Sequence, residues 1–297
     1  IRGHIEEQTA GKKAEVVATL RSQYPLEELL TAVQLPRATF YDRLHRNNKP
    51  DKYAKLKAFI MTTFQESAET YGYRRIHILA QKAGFKISPN TVLKLMGDLN
   101  LVVTIYSKHT SGYHSYKGHV GTVNDNLLHQ QFNATIPNTV FHIDVTQIKL
   151  LNHSWGYISA IIDEASREVV TIIVSAHANK EQLTSTIADF AKKCPADNTV
   201  IMHSDQGWQY QLAEYQNAMR ELGVLPSMSR KGNCHDNAPI ESFFSLMKRE
   251  CLYRQSIYDL AKLTRIVSEY TEWYNTKRIS LNKNGLTPVE YREQTIA

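Results

Sequence analysis

The sequence has little of what covalent scaffolds, fibrous proteins and membrane spans require. Its 297 residues include 3 cysteines, 9 prolines and 13 glycines. Cysteines so few and at unrelated spacing exclude a disulfide scaffold and are typical of a reducing compartment. The low glycine and proline content excludes a collagen-like chain. No apolar run approaches the roughly 18 residues of a membrane span and no signal peptide is visible, so we expect a cytoplasmic protein with no membrane partner.

What the sequence does contain is typical of a globular protein with a sizeable core. Hydrophobic residues make up 42% and charged residues 22% of the chain, and its length predicts about two domains. The formal net charge of +6 is unevenly spread: residues 1–110 carry 17 basic and 10 acidic side chains, whereas residues 136–297 carry 17 basic and 18 acidic ones. This distribution favours a basic module that binds a polyanion, joined to a near-neutral module.

Helical patterns fill the first hundred residues and occur as two three-helix sets. Two short helices, a tight turn and a basic third helix are typical of a helix-turn-helix, although a helical bundle without a DNA role shows the same pattern. We predict a helix-turn-helix DNA-binding region over residues 1–48 and a second helix-turn-helix-like domain over 49–103, with Ser88 as a helix N-cap. The candidate DNA contacts are Arg37, Thr39, Tyr41 and Arg43 in the first set and Arg74 and Arg75 in the second.

The pattern changes to strands after residues 104–135, which lack periodicity and are predicted to be a linker. Three strands joined by short turns come first, and two further strands, each preceded by a helix, come next. Two helices at 237–252 and 259–275 are predicted to close the chain. This order predicts an α/β, RNase H-like catalytic domain over residues 136–297.

Three acidic residues occupy positions in this domain that suit chemistry. Asp144 interrupts an apolar strand, where a charge is unfavourable unless it is paired or binds a metal. Asp205 ends the fourth strand, and strand ends are where α/β domains place their sites. Glu241 lies in the first turns of the next long helix. Each acid alone is typical of a cap or a salt bridge, but the three together predict a metal site.

Carboxylates shared between two hard cations are what phosphodiester transfer needs. Because soft ligands are absent from the pattern, we expect two Mg²⁺ ions, with Mn²⁺ as a substitute. Cys234 and Cys251 lack the paired spacing of a structural zinc site.

The spacing and motifs around these acids resemble a known family. Thirty-five residues separate Asp205 from Glu241, as in the DD(35)E transposases and retroviral integrases. Residues 227–238, before Glu241, resemble bacterial insertion-sequence transposases of the number-three family. Residues 71–75, 275–279 and 285–292 are also similar to that family, so the resemblance covers nearly the whole chain.

The resemblance implies a DNA transposase with an integrase-like catalytic core that works by a copy-out, paste-in route. It implies that one strand is nicked at an element end and that the freed 3′-hydroxyl attacks near the other end, so that a circular intermediate forms and later joins target DNA. Asp144, Asp205 and Glu241 are then the catalytic metal ligands. The partners are the terminal inverted repeats and target DNA, and at least a dimer is expected because two ends are joined. The resemblance also implies a bacterial protein that associates with the nucleoid. The alternatives are an inactive DNA-binding repressor or scaffold, and a plain nuclease.

Several nearby side chains are secondary candidates. Lys248 follows Glu241 by two helical turns and is expected to contact the DNA backbone. Arg230 and Lys231 are expected to hold DNA beside the site. Asn237 either orients a ligand or substrate oxygen or caps the helix of Glu241. The remaining polar residues near the acids are expected to be structural: His142 and His203 in the core, and Asp163 in a turn.

Overall fold

The computed structural model describes residues 9–47, 50–105, 121–195, 199–230 and 237–296. They belong to two compact units, Ile1–Phe59 and Ile60–Ala297. Lys231 and Cys234 lie outside the described residues, as does most of the first half of the predicted linker. None of the described helices is long and apolar enough to cross a membrane.

The first unit is built from three short helices, as the sequence predicts. They are α1 (Ala10–Leu20), α2 (Leu26–Ala32) and α3 (Arg37–Asn47). Each helix has one apolar side, and these sides meet in a small core that includes Val17, Leu30 and Phe40. The burial of Phe40 leaves Tyr41, the next residue, on the outer side of α3 with 44% of its surface exposed.

A second helical set follows: α4 (Ala54–Glu66), α5 (Tyr73–Lys82) and α6 (Pro89–Asp98). The predicted N-cap of α6 is confirmed, because the Ser88 hydroxyl accepts a hydrogen bond from the Thr91 amide at 3.3 Å. This set packs on the end of the chain. The Tyr71 hydroxyl accepts from the Ile279 amide at 2.9 Å, and Lys82 Nζ donates to the Gly285 carbonyl at 2.8 Å. The helix-turn-helix-like set from Ile60 onwards therefore shares one compact unit with the chain's C-terminal half.

A five-stranded mixed sheet forms the centre of this unit, with strand order β3-β2-β1-β4-β5. The strands are β1 (Val140–Lys149), β2 (Trp155–Asp163), β3 (Val169–Ser175), β4 (Val200–Ser204) and β5 (Val224–Met228). The first three pair antiparallel through tight turns, whereas β4 and β5 run parallel to β1. Parallel neighbours require crossover helices, which are α7 (Lys180–Ala191) and α8 (Ala213–Glu221). The predicted RNase H-like order is confirmed.

The alternation of side chains along β1 divides the domain into two cores. Phe141 and Ile143 point to the face covered by α7 and α8. The other face, with Ile158 and Ala160 of β2, packs on α9 (Ala238–Glu250) and α10 (Leu260–Thr276). Successive residues of a strand face opposite sides, so Asp144 lies on the face that α9 covers.

Two parts of the predicted organisation differ from the structure. A third C-terminal helix, α11 (Pro288–Ile296), follows the two that were expected. Its start is a capping box, in which the Thr287 amide donates to Glu290 Oε2 at 2.8 Å and the Glu290 amide donates to Thr287 Oγ1 at 3.2 Å. This signature was present in the sequence and was missed because the helix has only a weak apolar stripe.

The second difference concerns the predicted linker. Its described part, 121–135, lies along the edge of the sheet beside β5. The Leu127 amide donates to Ser227 Oγ at 2.9 Å, and the Met228 amide donates to the Asp125 carbonyl at 3.2 Å. Polar composition suggested a loose connection, but backbone groups of this segment are hydrogen-bonded to the domain.

Candidate active site

Strand register brings Asp144 and Asp205 side by side. In the parallel pairing of β1 with β4, His142 is opposite His203. Each aspartate lies two residues further along its own chain, so the two carboxylates leave the sheet at the same point. The edge at the carboxyl end of β4 is therefore the place where the first two acids meet.

The turn after β4 fixes the Asp205 carboxylate. Its Oδ1 accepts a hydrogen bond from the Gly207 amide at 2.8 Å. A Cβ atom at position 207 would lie 2.8 Å from that same oxygen, which is closer than such atoms approach. Only glycine therefore allows this turn and this carboxylate position together. Gln206 joins the turn to the segment after β5, because its Nε2 donates to the Ser229 carbonyl at 2.9 Å.

Glu241, in the first turn of α9, brings the third carboxylate to the pair. Burial raises the pKa of Asp144 well above its usual range, and the charges of Asp205 and Glu241 raise it further, while Lys248 opposes them. Burial also raises the pKa of Asp205, against the stabilising Gly207 amide. Asp144 thus lies within electrostatic reach of both other acids. Carboxylates within electrostatic reach of one another repel, which a bound cation would relieve.

Lys248 lies on the same side of α9 as Glu241, two helical turns further on. Its Nζ donates to Thr146 Oγ1 at 2.6 Å, and Thr146 is on the same face of β1 as Asp144. Burial lowers the pKa of Lys248, and the nearby Asp144 opposes this effect. The ammonium group is therefore at the site, half-buried.

Asn237 does not do what the sequence suggested. Its side chain makes no capping hydrogen bond to α9 and is only 2% exposed. The amide instead binds β1: Nδ2 donates to the Ile143 carbonyl at 3.4 Å, and Oδ1 is 2.8 Å from His142 Nδ1. Since Nδ2 is used as a donor, Oδ1 accepts from His142. The contacts fix the start of α9, and so Glu241, to the strand of Asp144.

Behind Asn237 the contacts continue to Glu164. His142 Nε2 is 2.7 Å from Glu164 Oε2, and Glu164 Oε1 accepts from the Ala134 amide at 2.9 Å. Burial tends to raise the pKa of Glu164, but the His142 and Ala134 hydrogen bonds outweigh it and lower that pKa. His142 and His203 have no exposed surface, so the prediction of core histidines is confirmed.

Other acids near the site are structural. Asp163 Oδ2 accepts from the Ser166 amide and hydroxyl, both at 2.6 Å, and Oδ1 accepts from the Asn138 amide at 2.8 Å. The prediction that Asp163 caps a turn is confirmed. Glu164, which the sequence reasoning passed over as part of a turn, was missed, because no local pattern shows that it pairs with a histidine 22 residues earlier.

The predicted DNA contacts differ in their exposure. Arg37 has 61% of its side chain exposed and lies 6.0 Å from the ring centre of Tyr41, whereas Thr39 and Arg43 are half-buried. In the second set, Arg74 is exposed and Arg75 is half-buried, 5.3 Å from the Tyr71 ring centre. Arg230 is exposed just after β5.

The side chains at the site suit divalent magnesium or manganese in their chemistry. All three acids supply hard oxygen ligands, and the two histidines nearby point into hydrogen bonds within the core. In the described ranges, no three acidic, histidine or cysteine side chains are close enough to hold a single ion. A pairwise arrangement fits the electrostatics better, since Asp144 is influenced by Asp205 and Glu241 together.

Comparison with known proteins identifies the family. Two models described as integrase core domain match residues 134–234 and 241–296, and a model described as HTH-like domain matches residues 50–109. The chain is 42% identical to a protein of Escherichia coli K12 named as transposase InsK for insertion sequence element IS150, over 95% of this chain and 98% of that protein. It belongs to the bacterial insertion-sequence transposases.

More distant relatives extend the family. The chain is 31% identical to the transposase for insertion sequence element IS904 of Lactococcus lactis, over 79% of this chain and 92% of the relative. It is 25% identical to transposase InsF for insertion sequence IS3A of E. coli K12, over 93% and 97% of the two chains. As an insertion-sequence transposase with an integrase core domain, the chain belongs to the polynucleotidyl transferases.

Two solved structures from retroviruses match part of the chain. A chain of the simian T-cell lymphotropic virus intasome is 12% identical, with a TM-score of 0.47, over 78% of this family member and 74% of that chain. The HTLV-2 integrase catalytic core domain in complex with magnesium is 15% identical, with a TM-score of 0.42, over 54% and 99%.

Proposed function

We propose that the chain nicks one DNA strand at each end of its own insertion element and joins the freed 3′-hydroxyl to DNA in a magnesium-dependent reaction. The observation that carries the proposal is that Asp144, on a central strand, lies within electrostatic reach of Asp205, at a strand end, and of Glu241, at a helix start. Burial raises the pKa of Asp144 most, and the charges of Asp205 and Glu241 raise it further, although the Val145 amide donates to Asp144 Oδ1 at 2.7 Å. Such a cluster is typical of a cation site in catalysis.

The three carboxylates act together in this proposal. Asp144, Asp205 and Glu241 would hold the two Mg²⁺ ions, and Mn²⁺ would substitute. When bound, two such ions activate the attacking hydroxyl and stabilise the leaving 3′-oxygen. The Gly207 amide holds Asp205 in place, and Asn237 and His142 hold the start of α9 against β1.

Basic side chains around the acids would hold the DNA strand. The Lys248 ammonium, hydrogen-bonded to Thr146 in the structure, can turn to a phosphate oxygen beside the scissile bond. Arg230 follows β5 at the same edge of the sheet, and Lys231 comes next in the sequence. We retain all three as proposed backbone contacts. Asn237 instead becomes a positioning residue, because its amide is buried and occupied.

The helical sets would recognise the element ends. Arg37 and Tyr41 share the outer side of α3, where they can reach a DNA groove, with Thr39 and Arg43 flanking them and Arg74 contributing from the second set. The basic excess of residues 1–110 would contact many phosphates, so affinity should fall steeply as salt rises. The protein would act on nucleoid DNA in the bacterial cytoplasm.

The order of events follows the copy-out, paste-in scheme. Water first cleaves one strand at an element end and leaves a 3′-hydroxyl. This hydroxyl then attacks a phosphodiester near the other end: a new bond forms between the 3′-oxygen and phosphorus, the bond to the old 3′-oxygen breaks, and that oxygen takes up a proton. No covalent bond to the protein forms. Two ends must be held together, so at least a dimer would be active.

A strand-transfer assay tests the proposal. Labelled duplexes carrying the two element ends, taken from the DNA that flanks the gene, are incubated with the full chain and Mg²⁺. Wild type should nick and join them, while Glu241→Gln should bind them equally well and do neither. The proposal is lost if wild type nicks no better than Glu241→Gln. Cleavage without joining would indicate a plain nuclease, and binding without cleavage a repressor or scaffold.

A further inference from the structure

A second basic site lies beside the proposed active site, at the start of α9. A cavity of about 420 Å³ is bounded by α5, α9, the end of α10 and the turn between β2 and β3. Arg75, Arg167 and Arg278 line it, together with the hydroxyl groups of Ser242 and Ser280. None of the described residues that line this cavity is acidic. This arginine-lined cavity is of the size typical of ligand sites.

The positive charge of the cavity can be assigned to Arg167. Arg278 is neutralised, because its Nε and Nη2 donate to the two carboxylate oxygens of Glu250 at 2.8 and 2.7 Å. Arg167 makes no side-chain hydrogen bond or ion pair within the described ranges. It lies within electrostatic reach of Glu164, whose carboxylate is hydrogen-bonded to His142. Arg167 therefore brings positive charge to the wall that Arg75 also lines.

The backbone at Arg167 has a conformation that is uncommon for arginine. Its φ of 67° lies in the left-handed region that glycine and asparagine adopt most readily. An arginine held there is less favourable than either, and residues kept in such conformations cluster at functional sites. The turn is held by the hydrogen bonds of Asp163 to Ser166, so the guanidinium is directed by a fixed backbone.

The position of the cavity relative to Glu241 indicates what it would bind. Pro239 and Ser242, which flank Glu241 in α9, both line the cavity. At 100° per residue, their side chains lie about 100–160° around the helix axis from that of Glu241. A helix is about 10–12 Å across with its side chains. Along the surface of the helix this angle is a path of about 9–17 Å, so a DNA strand with its scissile phosphate at the acids would reach the cavity within about three to five nucleotides, at 3.4 Å per nucleotide.

We propose that the arginine-lined cavity holds a phosphate of the DNA strand a few nucleotides from the scissile bond, with Arg75 and Arg167 as its ligands. The proposal rests on the proposed transposase function. Guanidinium groups bind phosphate oxygens in pairs, the serine hydroxyls can donate to the same oxygens, and the start of α9 contributes partial positive charge. Phe132, a partly exposed residue of the same wall, offers a ring for the adjoining base. The second helical set would thereby help to bind DNA through Arg75, at its junction with the catalytic fold.

The test compares two arginine variants with a matched control. Arg167→Asn removes the charge but keeps a residue that tolerates the positive φ, so it should unfold at or above the wild-type temperature; Arg75→Gln is the second variant. Arg265→Gln, on the exposed side of α10 with 68% of its side chain in solvent, is the control. Binding of a fluorescein-labelled decathymidylate to the full chain is measured by anisotropy over a range of salt concentrations.

Each cavity variant should weaken decathymidylate binding about tenfold and reduce the salt slope by about 0.7, the value for one phosphate of a single strand. Arg265→Gln should change neither. The proposal is overturned if Arg167→Asn and Arg75→Gln bind like the control. It is also overturned if thymidine monophosphate or inorganic phosphate competes as strongly as the oligonucleotide, because the cavity would then be a site for free nucleotides or anions.

Glu241→Gln separates this proposal from the proposed function. It should lose nicking and keep the wild-type affinity for decathymidylate. If wild type itself does not nick, the transposase proposal fails while the arginine variants still report on a polynucleotide site. If wild type nicks and the arginine variants bind normally, only the cavity proposal fails.

Discussion

The contact of Asn237 with His142 makes a strong prediction, because it joins the elements that carry two of the three acids. We expect Asn237→Ala to destabilise the protein. We also expect it to slow nicking far more than the loss of a buried asparagine that had no link to the acids. The substitution removes the hydrogen bonds to His142 at 2.8 Å and to the Ile143 carbonyl at 3.4 Å. The start of α9 then loses its tie to β1.

The size of the effect follows from burial. Each hydrogen bond contributes about 1 kcal/mol net, with the longer one contributing less. The loss also leaves the His142 Nδ1 donor without a partner in a site with no exposed surface, which costs about 1–3 kcal/mol. The free energy of unfolding should therefore fall by about 3 kcal/mol, a large part of the 5–15 kcal/mol of an ordinary domain.

Two measurements check the prediction. Urea denaturation gives the free energy of unfolding, with Asn217→Ala as the matched control: Asn217 is exposed, accepts only from Arg220 at 3.2 Å, and should change stability by less than about 0.5 kcal/mol. Nicking is then followed against Mg²⁺ concentration. Because Glu241 would be displaced relative to Asp144, the half-saturating Mg²⁺ concentration should rise several-fold while duplex affinity stays the same.

A double-mutant cycle with His142→Ala guards against a purely structural explanation. Direct contact predicts a coupling energy of about 0.5–3 kcal/mol between the two substitutions. The reasoning is refuted if Asn237→Ala unfolds within about 0.5 kcal/mol of wild type, or if its Mg²⁺ dependence is unchanged.

Three further predictions follow from the same contacts. The pKa of Asp144 is raised in the folded protein, so the metal-free chain should lose stability as the pH rises through that raised pKa. Asp144→Asn should therefore raise the melting temperature at pH 8 in EDTA, and it should abolish both nicking and stabilisation by Mg²⁺. An unchanged melting temperature would contradict the electrostatic repulsion inferred at Asp144. Glu250→Gln should lower the free energy of unfolding by about 3–5 kcal/mol in urea titrations, because it leaves the buried Arg278 guanidinium without its carboxylate; a change below about 1 kcal/mol would show that the pair is dispensable. Gly207→Ala should reduce nicking about tenfold with little change in unfolding, since the new methyl would displace Asp205 Oδ1; full activity would show that the turn can adapt.

Much of the fold was predictable because its signals are local. Alternating apolar residues mark β1, β2 and β3, and the short breaks between them force antiparallel pairing. Ser88 and Pro89 mark the start of α6 by capping chemistry alone. The same kind of signal was available for α11 in Thr287 and Glu290, and there the weak apolar stripe hid it.

The site was predictable only in part. Asp144, Asp205 and Glu241 stand out because an acid is unusual in each of their contexts, and their spacing resembles a known family. Asn237 was misjudged, since a position before a helix usually indicates a cap, and its burial against His142 depends on how α9 packs. Glu164 gave no local sign because its partner His142 lies 22 residues earlier, and Arg167 gave none because the cavity it lines is formed by elements distant in the sequence.

The sequence by itself therefore determined the order of helices and strands, the basic first third and the three acids, since propensity, charge and spacing are properties of the chain. Only the tertiary structure decided which groups meet. The parallel register of β1 with β4 brings Asp144 to Asp205, the contact of Asn237 with His142 fixes Glu241 beside them, and the packing of α5 on the end of α10 brings Arg75 into a cavity with Arg167. Such pairings depend on contacts between residues up to about two hundred positions apart, which no local pattern encodes.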